Sequence, residues 1–353
     1  MSSMEHRNQN ERIVSLQALR AIGAILIFLH HSGLRGSVVE AFGDCGVNWF
    51  FVLSGFVLAA GFGFPYMKPG TESWRDFGRM EARFVTGRFR RVAPMYYVAM
   101  LLMVMIFKFH PSLRATVWQG VMLQSWVTDE NVYFGLNGPA WFISDIMLCY
   151  AMFLPLLILR AKMPKIFRGV LFAWLVGYIV TLWAVPAGSE LYWIYVFPPM
   201  QVPSFVLGML LWSVANRLRG MAFSSRMSNL ILAGSVGIVV AALLGYRMIP
   251  MCLRLSAYWW VPTSLLIVAL TITDSTRCVA TSLLHWKPIV VLGNASYIFF
   301  ILHVPWIMGT RVVMRYLGVE LPLEVELPVS ILLLAVISVG IQRWMKRLKM
   351  RLN

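Results

Sequence analysis

Ten stretches of this 353-residue chain are apolar and long enough to cross a lipid bilayer. A helix rises 1.5 Å per residue, so about 20 residues cover a hydrocarbon core of roughly 30 Å. Backbone groups in lipid must bond to one another, which favours helices. We therefore predict an all-α, polytopic membrane bundle of about ten transmembrane helices. The stretches are 13–32, 46–64, 92–109, 139–159, 169–186, 199–215, 229–247, 257–273, 289–309 and 325–343.

The composition excludes a water-soluble globule. Hydrophobic residues make up 59% of the chain and charged residues 13%, and the mean hydropathy is +0.71. The net charge of +16 does not indicate nucleic-acid binding, because the basic residues stand in short clusters between apolar runs. The four cysteines form no C-x-x-C pair or Cys/His cluster, so no metal site is predicted.

The basic residues also predict an orientation. Alternate loops and the termini hold 23 Lys or Arg, whereas the opposite side holds seven. Positive loops stay in the cytoplasm, so both termini are predicted to be cytoplasmic, in agreement with an even number of spans. No linker and no internal repeat separates a further domain, and we predict one membrane domain over 1–353.

Two ionisable residues on the first apolar stretch are candidates for function. A charged residue at a helix centre costs roughly 2.5 to 3.5 kcal/mol on insertion scales, so a retained one suggests a role. Arg20 and His31 lie eleven residues apart, which on a helix returns to within about 20° of the same direction after about 16 Å of rise. We expect both to face one cavity. His30 points about 100° away and is the poorer candidate.

A histidine in low-dielectric surroundings stays neutral and can accept a proton, as a general base must. His31 is therefore the predicted base, although a histidine bonded between helices for packing would show the same pattern. Asp145 in the fourth stretch and His303 in the ninth are further polar candidates. Each could serve catalysis or pair structurally with an Arg or a backbone carbonyl group.

The loop 65–91 is the most basic segment of the chain. Arg75, Arg79 and Arg83 recur every four residues, as along one side of a helix on the membrane surface. Arg88, Arg90 and Arg91 lead up to the third stretch. These side chains could set topology and touch anionic lipid, or they could clamp the phosphates of a cytosolic ligand.

Several segments together resemble the acyltransferase-3 family of membrane acyltransferases. LQALRAIGAILIFLHHSG resembles the first helix of the family, in which an Arg is followed by ten residues and a His, as Arg20 and His31 are here. GVNWFFVLSGFVLA is similar to the second helix. In RFRRVAPMYY, Arg88 and Arg91 fill the R-x-x-R positions of the basic loop. NGPAWFISDIMLCYAMFLP, with Trp141, resembles the helix that opens on Trp, and LGNASYIFFILHVP, with Tyr297 and His303, the helix that ends in His-x-Pro.

The resemblance implies an O-acyltransferase of the bacterial inner membrane. Such enzymes take an acyl group, usually acetyl, from cytosolic acyl-CoA and place it on a hydroxyl of a cell-surface or lipid-linked glycan. The opening LQALRAI leans toward members that modify exopolysaccharide or O-antigen. The resemblance implies that His31 is catalytic and that Arg20, Arg88 and Arg91 handle the acyl-CoA donor.

One position departs from the family pattern. Many members carry Glu five residues after the Trp that opens the helix, where this chain has Ile146. Asp145 precedes it and would point about 100° away, so its taking over the catalytic role of that Glu is a hypothesis. An acyl-enzyme on Ser54, in LSGF, is an alternative to direct transfer, although a small residue there also suits helix packing. A transporter or flippase for a lipid-linked or small anionic substrate is the rival interpretation of the intramembrane polar residues.

Overall fold

The computed structural model describes residues 13–62, 74–107, 111–276 and 279–352, and these ranges form helices and connecting turns without a strand. Ten helices within the described ranges have at least 17 residues. In chain order the helices are α1 Ser15–His31, α2 Ser37–Phe62, α3 Trp74–Phe107, α4 Leu113–Gly120, α5 Glu130–Tyr133, α6 Trp141–Lys162, α7 Pro164–Ala184, α8 Pro198–Arg219, α9 Ser225–Gly245, α10 Met251–Arg254, α11 Trp260–Thr276, α12 Val279–Leu284, α13 Lys287–Leu317 and α14 Leu323–Leu352. A π-helical turn, Leu191–Val196, precedes α8.

The helices agree with the apolar stretches, each of which falls on one long helix. Six helices in the described ranges are both long and apolar enough to cross a membrane: α2, α6, α7, α9 extended to Met248, α13 and α14, with α6 counted from Gly138. The helix α1 is apolar but shorter, at 17 residues. The all-α, multi-pass class is therefore confirmed, whereas the count of ten spans and the cytoplasmic termini stay predictions.

The basic segment is helical from Trp74 onward, as the four-residue spacing of Arg75, Arg79 and Arg83 predicts, and its position on the membrane surface stays a prediction. Residues 65–73 of that segment lie outside the described residues. The helix α3 begins at Trp74 and continues without a break to Phe107. Between 74 and 93 the chain has only isolated glycines, Gly78 and Gly87, and no proline to end a helix. Pro94 lies inside α3. The arginines thus share one helix with the third predicted span.

The described residues form two compact units. The first comprises Met1–Gly61, Gly208–Ile249 and Tyr258–Asn353, and the second comprises Phe62–Leu207 and Pro250–Ala257, in each case within the described ranges. The prediction of one membrane domain over 1–353 stays a prediction.

The first unit is built on a parallel pair of helices, α1 and α13. Near the start of both helices Gly293 lies against the backbone of Gln17, and farther along the rings of Phe28 and Phe299 are 5.9 Å apart between centroids. A Cβ atom on Gly293 would lie 1.9 Å from the Gln17 carbonyl oxygen. Only glycine permits this approach, and it is the approach that brings the two helices into register.

We expect Gly293→Ala to destabilise the protein by about 1–3 kcal/mol, because the added methyl group meets backbone that cannot turn aside and α13 must move away from α1. Gly340→Ala is the matched control, since a Cβ there meets nothing within 4 Å. That variant should be neutral or slightly stabilising, as alanine favours helix over glycine. Thermal unfolding of the detergent-solubilised protein measures both. Equal transition temperatures for the two variants would contradict the close contact.

The second unit packs α3 against α6 through aromatic rings. Phe153 of α6 lies 5.5 Å from Phe84 and 5.3 Å from Phe62 between ring centroids. The connection before α6 is held by buried amides: Gln119 donates to the carbonyl of Val132 at 2.9 Å, and Gln124 to that of Ala140 at 2.8 Å. These buried bonds tie the connecting segment to α5 and to the residue that precedes α6, and so fix the entry of the chain into α6.

Candidate active site

Two histidines of the first unit meet at the end of α1. The Nε2 atom of His303, on α13, lies 3.3 Å from the Nδ1 atom of His31, and the ring centroids are 4.9 Å apart. His303 is 1% exposed, whereas His31, the last residue of α1, keeps an exposed side chain. The low-dielectric surroundings expected for His31 stay a prediction, since the rings of His30 and His303 flank it at 4.8 and 4.9 Å between centroids. Of the two histidines of the pair, His31 is the one that a ligand can reach from outside the chain.

Backbone carbonyl groups assign the protons of the two neutral rings. The Nδ1 atom of His31 lies 2.9 Å from the carbonyl oxygen of Ile27, and the Nδ1 atom of His303 is bonded to that of Phe300. Because a carbonyl oxygen only accepts, each Nδ1 must carry the hydrogen. In a neutral imidazole the other nitrogen is then unprotonated. The Nε2 atom of His303 accepts from His31, and the Nε2 atom of His31 is left as a proton acceptor.

His30 has a different environment. Its Nδ1 atom lies 3.1 Å from the carbonyl oxygen of Val39, and its ring fills the space where a Cβ on Gly43 would stand. His30 therefore ties the end of α1 to the start of α2. His30 thus has a packing role, and its rank as the poorer catalytic candidate stays a prediction.

The other candidates in the first unit lie away from the histidine pair in sequence. Arg20 is half-buried on α1, and its Nη1 donates to Oε1 of Gln17 at 3.5 Å. The hydroxyl of Ser54 donates to the carbonyl of Phe50 at 2.6 Å, a bond within its own helix that suits packing. Tyr297 is half-buried on α13, six residues before His303. The shared cavity expected for Arg20 and His31 is not tested by these contacts.

In the second unit, Arg88 is held by aromatic rings. Its guanidinium carbon lies 5.0 Å from the ring centroid of Phe84 and 5.5 Å from that of Tyr150, within the range of cation–π attraction. Arg88 is half-buried, and Arg91 is exposed one turn later on α3. Packing therefore orients the guanidinium of Arg88. A residue that only sets topology would not need a fixed orientation.

The start of α6 contains a buried carboxyl group. Asp145 is 0% exposed, and neither of its oxygens has a hydrogen-bond partner in the described part of the chain. The hydroxyl of Ser125, beside it, donates instead to the carbonyl of Trp141 at 3.0 Å. The indole of Trp141 packs 4.6 Å from the ring of Tyr195. Burying an unpaired charge is costly, so Asp145 is an unusual residue to retain for structure alone.

A family model described as an acyltransferase domain, Acyl_transf_3, matches residues 13–341. The chain belongs to this acyltransferase family. Over 346 aligned residues it is also 28% identical to acyltransferase MdmB of Streptomyces mycarofaciens, with 88% of this chain and 82% of the relative covered. No solved structure matches the chain. The resemblance inferred from the motifs is thereby confirmed at the level of the family.

The candidate site residues predicted from the sequence lie in both units. The first unit holds Arg20, His31, Ser54, Tyr297 and His303, and the second holds Arg88, Arg91, Trp141 and Asp145. Within the first unit the structure brings His31 and His303 together, which no spacing along the chain indicated. The pair joins residues 272 positions apart.

The first unit contains a further polar cluster, Ser15, Asp274 and His285, that the sequence analysis did not predict. The carboxylate of Asp274 accepts from the backbone N–H and the hydroxyl of Ser15, at 3.0 and 2.7 Å, and lies 2.7 Å from Nε2 of His285. Ser, His and Asp here do not form a nucleophilic relay, because Nε2 of the histidine faces both other side chains. The carboxylate caps the first turn of α1, which attracts negative charge.

Among the described residues no group of three or more His, Cys, Asp or Glu side chains is placed to hold a metal ion.

Proposed function

We propose that the chain is a membrane O-acyltransferase that moves an acyl group, in the first place acetyl, from cytosolic acyl-CoA to a hydroxyl of a cell-surface or lipid-linked glycan. The observation that carries this proposal is the exposed His31, whose Nδ1 hydrogen is bound to a backbone carbonyl so that Nε2 is left to accept a proton. Family membership favours transfer chemistry over the transporter or flippase alternative.

In this proposal the donor binds through its phosphates. Arg88 and Arg91 on α3 offer guanidinium groups that bind phosphate with paired hydrogen bonds. The rings of Phe84 and Tyr150 hold Arg88 in place, so less side-chain entropy is lost when a ligand binds. Arg20, half-buried on α1, is proposed to handle the acyl-CoA farther along its length.

The transfer step needs one base and no covalent enzyme intermediate. His31 Nε2 takes the proton of the acceptor hydroxyl while the oxygen attacks the thioester carbonyl. The C–S bond then breaks, and the imidazolium returns the proton to the CoA thiolate, giving an ester and free CoA. General base catalysis of this kind contributes about 10²- to 10⁴-fold. His303 positions the ring of His31, because its Nε2 accepts from the same Nδ1 hydrogen.

The surroundings of three further residues bear on the proposed reaction. The hydroxyl of Ser54 is engaged with the Phe50 carbonyl, which supports direct transfer over an acyl-Ser54 intermediate. Asp145 is proposed to replace the Glu that many family members carry at the position of Ile146, since its buried carboxyl group has no hydrogen-bond partner in the described residues. Trp141 would orient that end of α6 through its contact with Tyr195.

The proposed function predicts that the purified protein in lipid nanodiscs consumes acetyl-CoA only when an acceptor glycan is added. The measurement is release of free CoA, together with transfer of labelled acetyl to the surface glycan fraction of the source cells. Empty nanodiscs are the control. A protein that is folded by size-exclusion chromatography and neither binds nor consumes acyl-CoA would overturn the proposal, and transport of an anion by that protein would favour the transporter.

A further inference from the structure

The first unit has a cavity beyond the histidine pair. A cavity of about 490 Å³ opens at the end of α13 and is lined by Arg311, Met314, Arg315, Gly318, Val319, Glu320 and Leu321. Arg311 follows His303 by eight residues, which is about 12 Å of helix. Arg311 also donates to the carbonyl of Ser32, the residue after His31. The cavity and the predicted base are therefore joined by direct contacts within one unit.

The two arginines of the cavity have different surroundings. Arg311 is anchored, because besides Ser32 it contacts Oε1 of Glu326 at 3.4 Å. Arg315, one turn farther along α13, is exposed and makes no ion pair with any described residue. Glu320 lines the same cavity and is likewise without an ion pair in the described part of the chain. One guanidinium and one carboxylate are thus both available to a ligand.

We propose that this cavity binds an acidic sugar unit of the acceptor, with its oxyanion on Arg315 and its hydroxyls on Glu320. This inference rests on the proposed function, since it names the acceptor class of the same site. A guanidinium binds carboxylate or phosphate with two parallel hydrogen bonds, and a carboxylate accepts from neighbouring hydroxyls. Gly318, at φ 63°, ends α13 in the left-handed conformation, and the residues that follow it, Val319 to Leu321, line the same cavity as Arg315.

The test uses the full chain in nanodiscs of zwitterionic lipid and measures binding, so that no turnover is needed. The probe is an oligosaccharide of glucuronic acid and glucose, compared with its carboxyl-reduced form, in which each glucuronic acid has become glucose. An oligosaccharide that carries phosphate instead of carboxylate shows which oxyanion is preferred. Wild-type protein is expected to bind an acidic form at least about tenfold more tightly than the reduced form, because the reduced form loses the hydrogen bonds between its charged group and the guanidinium.

Three variants make the test specific. Arg315→Gln should remove the preference for the acidic form and leave binding of the reduced form unchanged. Arg35→Gln, which removes an exposed charge outside the cavity lining, should keep the preference. Glu320→Gln should bind the reduced form more weakly than wild type, because the carboxylate that accepts from its hydroxyls is lost, and it should raise the preference for the acidic form, because a negative charge beside the oxyanion is removed.

Equal binding of acidic and reduced forms by the wild type, or equal losses in Arg315→Gln and Arg35→Gln, would overturn the assignment of the cavity. Failure of the proposed function gives a different result. Selective binding of the acidic form without any use of acyl-CoA would support the assignment of the cavity and reject the transferase. Acyl transfer without a preference for the acidic form would support the transferase and reject the assignment of the cavity.

Discussion

Replacing His31 with alanine is expected to lower the rate of acyl transfer by about 10²- to 10⁴-fold, the usual contribution of a general base. The structure leaves its Nε2 unprotonated and its side chain exposed, so alanine removes the group that takes the proton of the acceptor hydroxyl. Binding of acyl-CoA should change little, because a base for the acceptor does not hold the donor. Transfer of labelled acetyl from acetyl-CoA to glycan measures the rate, and equilibrium binding of acyl-CoA measures the second quantity.

His30→Ala is the matched control, since it removes the neighbouring imidazole. Its ring bonds to the carbonyl of Val39 and packs on Gly43, and it meets His31 only edge-on, at 4.8 Å between ring centroids. Most of the activity should therefore remain, with some loss of thermal stability. Both variants must be compared at equal expression and monodispersity. Substantial activity in His31→Ala, or a dead His30→Ala beside a working His31→Ala, would show that the base is assigned to the wrong residue.

The double variant Arg88→Ala/Arg91→Ala is expected to bind acyl-CoA at least about tenfold more weakly than wild type, because hydrogen bonds from charged groups to phosphate each contribute about 1.5 to 3 kcal/mol. The deficit should shrink as salt is added, since salt weakens the attraction in the wild type more than in a variant that has lost the charges. Titration of the nanodisc-embedded protein with acyl-CoA at two ionic strengths measures both effects.

Arg83→Ala/Arg90→Ala removes the same charge from the same helix and serves as the control. Both of these arginines are exposed, and neither occupies a position of the R-x-x-R pair. The control should keep most of its donor affinity. If the two double variants lose affinity equally, the basic segment acts by its overall charge and sets topology, and Arg88 and Arg91 have no special part in donor binding.

The helices and the family could be read from the chain because both depend on local patterns. An apolar stretch of about 20 residues must become a helix in lipid whatever surrounds it. All of the predicted stretches, from 13–32 to 325–343, accordingly fall on helices. Arg20 and His31, with Arg88 and Arg91, stand at fixed spacings within single segments. Those spacings are visible without knowing which helices are neighbours.

The contacts of the site were decided by the approach of distant helices. Gly293 lets α13 lie against the backbone of α1, and this register places His303 beside His31 and Arg311 on the carbonyl of Ser32. In lipid the apolar faces of helices are alike, so pairing depends on close packing of shapes and on the few bonds between polar groups. The sequence by itself therefore determined which segments are helices and which family they form. Only the tertiary structure decided which nitrogen of His31 is left to accept a proton, because the partners of that ring are set by how two helices fit together.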